Sequence, residues 1–524
     1  EEFAGADSDE EVHSDHDELP LPSSGYENAF EEIEVFLREQ PDRRRTFLNP
    51  MQSSRLLLPV DSDASSAESS AARAARLRGL RSQSEPVASS SVVAAARSGG
   101  ESAQLNLVSS ALLGRQPCRY DVRSTTLDKL IELLTTEPPP ASVNADVHAA
   151  YEKLAWVFFS TFQSFTTTEV VFEKLQRRIT FPEDSPLNEE ERDSILRTTC
   201  KMVAAWFDQY YGVYFRREPQ LRLVKNFLSA MRATGRVSVV VRFLEKTMER
   251  RIARGTYSTI SGQNVQLSDA PKVLISKSID WRSATLLEID SLEIARQLTL
   301  HDYHSYADID PHVILVWVKS IRNPHRSRTA TSSPLQRVIL SFDRCSRAFA
   351  RLLVAPVRLK GRIRMLCKVI EVMEHLRELN NFNSLWALGS AVNHELVIGM
   401  QRTFAGLPRR YAERLASLNK SIAPDHSYRA YRHELAAAKP PCIPFIGMHL
   451  SDLTFTENRS SDETRGLINF FKHRRIYEIV DRLLAYQHIP YQLHMVPNLS
   501  KMLDQLPTAT DAQLQTLIRA HQRH

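Results

Sequence analysis

The chain has 524 residues, 42% of them hydrophobic, which leaves room for roughly two to four domains with ordinary cores. Its net charge of +5 comes from 67 basic and 62 acidic residues, a balance that indicates neither a nucleic-acid binder nor strong attraction to a membrane. The five cysteines are isolated and fit a reducing cytosol, and no apolar run approaches the ~18 residues that span a bilayer. We therefore expect a cytoplasmic protein without a signal peptide or a transmembrane helix.

The first region, residues 1–120, has the composition of a mostly disordered segment. Residues 1–19 contain many acids and no Lys or Arg, and residues 61–104 are rich in Ser, Ala and Arg. Such stretches bury too little apolar surface to offset chain entropy. Between them, the apolar residues of Phe30–Leu37 recur at helical spacing, which predicts a short helix or a docking segment.

A short motif around Ser84 lies in the same region. The string Arg81–Pro86, RSQSEP, resembles the docking pattern of 14-3-3 proteins, in which a phosphorylated serine is flanked by Arg and Pro. Phosphate on Ser84 would bring nearly two negative charges to a cluster of arginines. The alternative interpretation is a solvated Ser/Arg linker.

Residues 121–255 have the pattern of a helical unit. Apolar residues recur at i, i+3, i+4 and i+7 from Leu127, and prolines 138–140 end that run. Thr166 and Glu169 have capping-box spacing. Further helices are predicted at Ala149–Phe162, from the Thr166 cap to near Arg178, at Leu196–Tyr211 and at Leu221–Phe227. This unit contains no nucleophile motif, carboxylate pair or Gly-rich phosphate loop.

A linker is predicted at residues 256–284, and a second helical unit at residues 285–524. Asp290 and Glu293 have capping-box spacing at the start of its first helix. Further helices are predicted at Pro334–Val354, from Arg362 to the string ELNNFN (Glu378–Asn383), and at Ser384–Val392 with Asn383 as the cap.

Residues 439–475 have the pattern of a helical hairpin. Pro440 and Pro441 cannot continue a helix, and an apolar run follows them. Ser460 and Glu463 have the spacing of a capping box, so the second helix is expected to begin there. On pattern alone, such a hairpin is scaffold.

Several strings resemble Ras-type guanine-nucleotide exchange factors. LDKLIELLTT at 127–136, WVFFSTFQSFTTTEVVFEKLQRR at 156–178 and TTCKMVAAWFDQYY at 198–211 resemble the N-terminal helical module of that family, and EIARQLTL at 293–300 and ELNNFN resemble its catalytic domain. The resemblance implies an all-α fold in which the N-terminal module packs beside a larger catalytic domain with a protruding helical hairpin. It also implies that the protein holds no cofactor or metal.

The resemblance further implies a function and a set of site residues. The hairpin would enter a Ras, Rap or Ral type GTPase beside its nucleotide and accelerate GDP release, with recruitment to the membrane where the GTPase resides. The expected hairpin wedge consists of Thr454, Phe455, Thr456, Glu457 and Asn458. The expected GTPase contacts are Ile339, Asp343, Trp386, Asn393, Tyr428, Phe445 and Arg475. The expected supports of the hairpin are Glu378, Asn380, Asn381 and Asn383.

The chain also departs from the family at several positions. The family carries other side chains at the positions of Leu340, Asp343, Ala348, the pair Gly399-Met400 and Phe404. Either Glu457 or Asn458 occupies the acidic position of the wedge. An adaptor that binds a GTPase or other partners without exchange is therefore the alternative function. A hydrolase or transferase is a third hypothesis, but no nucleophile motif or phosphate loop supports it.

Overall fold

The computed structural model describes residues 105–521, except for residues 114, 183, 255–268, 322–332 and 488. The candidate phosphorylation site Ser84 and the segment Phe30–Leu37 lie outside the described residues. Helices predominate throughout the described part, which confirms the predicted all-helical class. None of the described helices is both long and apolar enough to cross a bilayer.

The first helical unit surrounds one aromatic core. Its elements are β1 (Leu105–Leu107), α1 (Ser110–Leu113), β2 (Val122–Thr125), α2 (Leu127–Leu134), α3 (Ala145–Thr161), α4 (Thr168–Ile179), α5 (Glu189–Tyr210), α6 (Glu218–Ala233) and α7 (Ser238–Arg254). Trp206 of α5 is fully buried and stacks on Phe159 and Phe172, with ring centroids 5.7 and 5.6 Å away. This core fixes the mutual positions of α3, α4 and α5.

Side-chain caps set the starts of these helices. Asn188 and Glu191 form a reciprocal capping box at the start of α5. The predicted cap of α4 at Thr166 is wrong by one residue, because Thr167 accepts the hydrogen bond from the Val170 amide. Strand β1 lies within the region expected to be mostly disordered, and its three residues are too few for strand alternation to register in the sequence.

The second helical unit contains the remaining elements. They are α8 (Ser291–Ala307), α9 (Pro311–Ser320), α10 (Pro334–Val354), α11 (Leu359–Glu378), α12 (Phe382–Val392), α13 (Glu395–Ile398), α14 (Gln401–Ala405), α15 (Arg409–Ser421), α16 (Asp425–Ala437), α17 (Ile446–Arg459), β3 (Glu463–Thr464), β4 (Leu467–Ile468), α18 (Phe470–Leu484), α19 (Pro497–Asp504) and α20 (Asp511–His521). Asp290 caps α8 as predicted, accepting from the amides of Leu292 and Glu293.

The described part of the predicted linker packs on this second unit. Ile275, Ile279 and Trp281 are partly buried against its core. The Leu274 amide donates to Oε2 of Glu293 at 3.1 Å. Residues 269–284 are therefore attached to the second unit.

A small antiparallel sheet joins the two units. Its order is β1-β2-β4-β3, so β2 of the first unit pairs with β4, which lies in the connection between α17 and α18. The expected helix start at Ser460–Glu463 is wrong, because Glu463 lies in β3 and Asn469 caps α18. Arg465 and Gly466 have φ of +55° and +75°, and such a two-residue turn closes a β-hairpin instead of continuing a helix.

Candidate functional site

The hairpin presents one exposed aromatic side chain. In α17, Leu450 and Leu453 are buried in the core of the second unit, whereas Phe455 is 61% exposed. The guanidinium carbon of Arg459 lies 5.3 Å from the Phe455 ring centroid, a cation–π contact. Phe455 is the one exposed apolar side chain of α17.

The other predicted wedge residues divide by exposure. Thr454 and Thr456 are half-buried, and their hydroxyls donate to the carbonyls of Leu450 and Asp452, each at 2.8 Å. Asn458 is exposed. The outer surface of the predicted wedge therefore consists mainly of Phe455 and Asn458.

Glu457 is turned into the hairpin. Its side chain is 7% exposed, and its Oε2 lies 2.8 Å from Nζ of Lys472 on α18. The same Nζ lies 2.5 Å from Oδ1 of Asp462 in the connection. The place of Lys472 in the basic string KHRR suggested either a contact with acidic groups on a GTPase or a solvated basic face, and gave no sign of this burial.

Two further titratable side chains, half-buried Lys319 and buried His473, lie near this ion cluster. Burial lowers the pKa of Lys319, on α9, to about 8, although Asp462 and Glu457 oppose the shift. Burial likewise lowers the pKa of His473 to about 4, and neither ring nitrogen of His473 has a hydrogen-bond partner among the described residues. His473 is thus neutral in the folded chain near pH 7.

The string ELNNFN binds the base of the hairpin. Asn380 has a left-handed φ of +54°, and its Nδ2 donates to the carbonyl of Lys439 at 3.0 Å. The Ile443 amide donates to the Asn380 carbonyl, and the Phe382 amide donates to the Ile443 carbonyl, both at 2.9 Å. These bonds hold the segment that leads into α17.

The string ELNNFN contacts the string EIARQLTL beneath this base. Nδ2 of buried Asn381 donates to the hydroxyl of Thr299, within EIARQLTL, at 3.2 Å. Asn381 also caps α12 by accepting from the Ser384 amide at 3.0 Å, so the predicted cap at Asn383 is wrong. Asn383 is instead buried in the first turn of α12.

A buried carboxyl group completes the base. The Ser384 hydroxyl donates to Oδ2 of Asp302 at 2.6 Å. Burial raises the pKa of Asp302, and the hydrogen bond from Ser384 offsets only part of that rise. Glu378, the first residue of ELNNFN, is exposed and bonds only locally to His375 among the contacts of the described residues.

Several predicted GTPase contacts are buried in the free chain. Trp386 and Phe445 are 0% exposed and stack with centroids 4.4 Å apart and planes 4° apart. The Tyr428 ring lies 5.5 Å from Trp386. Ile339 is also buried, and the buried carboxylate of Asp343 accepts from Arg347 at 3.1 Å. In this state these residues are part of the core.

Two other predicted contacts lie nearer the surface. Asn393 is half-buried and donates to Oδ1 of Asn419 at 2.9 Å. Arg475 is 55% exposed and lies 3.3 Å from Glu478 on the same helix. Both are accessible without repacking of the core.

The first unit fixes the far end of the hairpin. Ile468 and Phe470 belong to the buried core of the first unit, although the chain places them between α17 and α18. Lys153 of α3 pairs with Glu478 at 2.5 Å, and the Phe165 ring lies 4.9 Å from that of His473. The hairpin is therefore held at its base by ELNNFN and at its turn by the first unit.

The described residues contain no group of three or more His, Cys, Asp or Glu side chains suited to a metal ion. The hairpin is fixed at its base and at its turn, and Phe455 is its exposed aromatic side chain.

Comparison with known proteins matches both units to family models. The RasGEF N-terminal motif matches residues 121–229, and the RasGEF domain matches residues 293–474. The second match contains EIARQLTL, ELNNFN, α17 and the β3–β4 connection.

Individual relatives agree with these matches. The chain is similar to Ras guanine nucleotide exchange factor I of Dictyostelium discoideum, with 29% identity over 392 residues that cover 73% of this chain and 44% of that relative. It is 35% identical over 215 residues to Ras guanine nucleotide exchange factor K of the same organism, covering 40% of this chain and 14% of that relative. It is 28% identical over 340 residues to Rap guanine nucleotide exchange factor 1 of Homo sapiens, covering 64% and 29%. The chain thus spans less than two thirds of the length of these curated relatives.

Proposed function

Because the chain belongs to the RasGEF-domain family of Ras-type guanine-nucleotide exchange factors, we propose that it accelerates GDP release from a Ras-family small GTPase and so promotes GTP loading. The observation that carries this proposal is the exposure of Phe455 on a hairpin that is fixed at both ends. A fixed hairpin transmits binding energy to the nucleotide site, whereas a loose one would fold back on contact. No covalent bond is made or broken in this process.

The proposed mechanism is mechanical and electrostatic. The hairpin enters beside the nucleotide, and Phe455 displaces solvent and Mg²⁺ from the phosphate-binding groups of the GTPase. Every 1.4 kcal/mol of differential destabilisation weakens nucleotide binding about tenfold, so a loss of five decades needs roughly 7 kcal/mol. Contacts elsewhere on the GTPase supply that free energy by linkage.

The ion pair between Glu457 and Lys472 limits the part that Glu457 plays in this mechanism. Its carboxylate is engaged by Lys472, so it competes for phosphate-binding groups only after that ion pair breaks. Breaking a buried pair is costly. We propose that Phe455 and Asn458 form the working surface of the wedge, with Thr454 and Thr456 beside them, and that Glu457 stiffens the hairpin.

The proposed GTPase contacts follow from the same mechanism. Asn393 and Arg475 meet the partner directly. Contact with Ile339, Trp386 or Phe445 requires the neighbouring rings to separate, beginning with Tyr428, whose backbone has a left-handed φ of +64°. Asp343 contributes once its bond to Arg347 is exchanged for one to the partner.

A nucleotide-release panel tests the proposal. The full chain is mixed with Ras, Rap, Ral and Rho type GTPases that carry fluorescent GDP, and release is followed in excess unlabelled nucleotide. We expect acceleration for at least one of the Ras, Rap and Ral types and none for the Rho type. Absence of acceleration with all of them would refute exchange activity.

An exchange-inactive adaptor is the second candidate, and the internal pairing of Glu457 favours it. An adaptor would retain the GTPase surface without placing an acid at the nucleotide site. The departures from the family pattern at Leu340, Ala348, Gly399 and Met400 also favour the adaptor function. Stable GTPase binding without nucleotide release, measured by calorimetry beside the release panel, would select this function.

We further propose a cytoplasmic protein that is recruited to membranes where its GTPase resides. Phosphorylated Ser84 is the proposed docking site for a 14-3-3 protein, on the sequence motif alone. Pull-down of the phosphorylated chain by a 14-3-3 protein should be lost in Ser84→Ala. Undiminished binding by that variant would remove the assignment.

A further inference from the structure

The outer face of α7 combines exposed apolar and basic side chains. Val239 and Phe243 are 81% and 53% exposed, whereas Val241 and Leu244 on the opposite face are buried. We define the α7 outer face by five exposed residues that lie within about 100° of one another around the helix axis. They are Val239, Arg242, Phe243, Lys246 and Arg250.

The charges of this face are mostly uncompensated by the described residues. Arg242 and Lys246 form no ion pair there, and Arg250 lies 3.5 Å from Asp208. Of the two acids of α7, Glu245 pairs with Arg232 away from the face, and exposed Glu249 lies about 20° beyond Arg242 at its edge, so the face keeps an excess of cations. A face with two exposed apolar groups and three cations is complementary to an acidic amphipathic segment.

The sequence narrows the choice of such a segment. Residues 255–268 and 322–332, which lie outside the described residues, contain no acid at all. Residues 1–19 are acidic but nearly lack large apolar side chains. The segment Phe30–Leu37 has both, because Phe30, Ile33 and Leu37 recur at helical spacing among several glutamates.

Charge and chain length agree with this segment. Residues 27–39 contain five glutamates and one arginine, a net charge of −4 opposite the cations of the α7 outer face. The 67 residues from 38 to 104 connect the segment to β1, in the same unit as α7. For 67 residues the random-coil root-mean-square end-to-end distance is roughly 45 Å, enough to reach any face of the unit.

We infer that residues 29–37 dock on the α7 outer face of the same chain. Phe30, Ile33 and Leu37 cover Val239 and Phe243, while the glutamates of the segment meet Arg242 and Lys246. The tether holds the segment at an effective concentration in the millimolar range, so a weak contact is well populated. This inference concerns the first unit and does not depend on exchange activity.

Hydrogen exchange on the full chain tests the docking. We expect amides 29–37 to exchange at least tenfold more slowly in the wild type than in Phe243→Asp. The amides of α7 should be unchanged, because Phe243 is exposed and its replacement leaves the core intact. The matched control Val143→Asp alters another exposed valine, 75% exposed and outside α7, and should keep the protection. Equal rates in the wild type and Phe243→Asp would overturn the inference.

A charge exchange tests the pairing itself. The double variant Arg242→Glu, Lys246→Glu should abolish the protection of the segment. Adding Glu31→Lys and Glu34→Lys to it should restore at least half of the protection, measured as the logarithm of the protection factor. Failure of restoration would contradict direct contact between the two charged sets. Protection that rises with protein concentration would assign the segment to a second copy of the chain, against docking in the same molecule.

Discussion

The Nζ atom of Lys472 lies 2.8 Å from Oε2 of Glu457 and 2.5 Å from Oδ1 of Asp462. One buried ammonium group therefore joins α17, α18 and the connection between them. The Lys472 side chain is 0% exposed, so no solvent replaces either carboxylate. This pairing makes the hairpin one rigid body.

Replacement of Lys472 should destabilise the fold strongly. Lys472→Met leaves the buried Glu457 carboxylate beside Asp462 without the cation, which costs about 3–5 kcal/mol of the free energy of unfolding. Urea unfolding measures the loss. Lys472→Met combined with Glu457→Gln should recover part of it, and a single variant as stable as the wild type would contradict the role of the ion cluster.

Phe470 should couple the hairpin to the first unit. It is 2% exposed within the core of that unit, so Phe470→Ala should lower the free energy of unfolding by ~3–5 kcal/mol. Hydrogen exchange at residues 463–468 should accelerate as β4 separates from β2. Met495→Ala, at a side chain 52% exposed, is the control and should change neither quantity. Unaltered exchange in Phe470→Ala would show that the first unit does not hold the turn.

Asn381 and Glu378 belong to the same string but should differ in effect. Asn381→Ala removes the cap of α12 and the bond to Thr299, at a cost of about 2–4 kcal/mol of stability. Glu378→Ala removes an exposed contact to His375 and should stay within ~0.5 kcal/mol. Thermal or urea unfolding of the two variants decides the matter, and equal losses would contradict the assignment.

Stability should fall below about pH 6.5 in part because of His473. Burial lowers the pKa of His473 from 6.5 to about 4; Lys472 and Lys319 lower it further, and Asp462 opposes them. The unfolded chain therefore takes up a proton that the folded chain does not, so this contribution is complete above pH 6.5 and is lost as the pH falls toward 4.

The size of this effect is measurable. At about 1.4 kcal/mol per pKa unit, the contribution of His473 amounts to roughly 3 kcal/mol. Urea unfolding at pH 7 and pH 4.5 should show a smaller decrease for His473→Leu than for the wild type. Half-buried His312 and buried His449 also have lowered pKa values, so they account for pH dependence that remains in His473→Leu. Identical pH dependence in the two proteins would exclude this role for His473.

Local patterns in the sequence predicted much of the helical framework. Helix α10 has the predicted bounds, Pro334–Val354, because a serine cap, an N-terminal proline and a strong apolar stripe agree. The Asp290 cap of α8 was predicted for the same kind of reason. The sequence alone did not identify the cap where several capping residues lie within one turn. In ELNNFN, Asn381 caps the helix in place of Asn383, because Asn381 is held by its hydrogen bond to distant Thr299.

Features that depend on distant contacts were not predictable in this way. The strand pair β3–β4 is two residues long on each side and is completed by β2, more than 330 residues earlier in the chain. The burial of Lys472 and the inward turn of Glu457 follow from that packing. A basic string and an acidic residue near a turn are ordinarily exposed to solvent. Composition alone therefore predicted exposed side chains at Lys472 and Glu457, whereas both are buried.

The central claim is that the hairpin acts as the wedge. The most direct test compares the rates at which the wild type and Phe455→Ala release labelled GDP from a GTPase that responds to the wild type. Phe455 is 61% exposed, so the variant should keep its unfolding midpoint. We predict a loss of at least tenfold in the exchange rate per exchange factor, while Met495→Ala, a second exposed apolar side chain, retains wild-type exchange. Wild-type exchange by Phe455→Ala with unchanged stability would contradict the claim that the hairpin acts as the wedge.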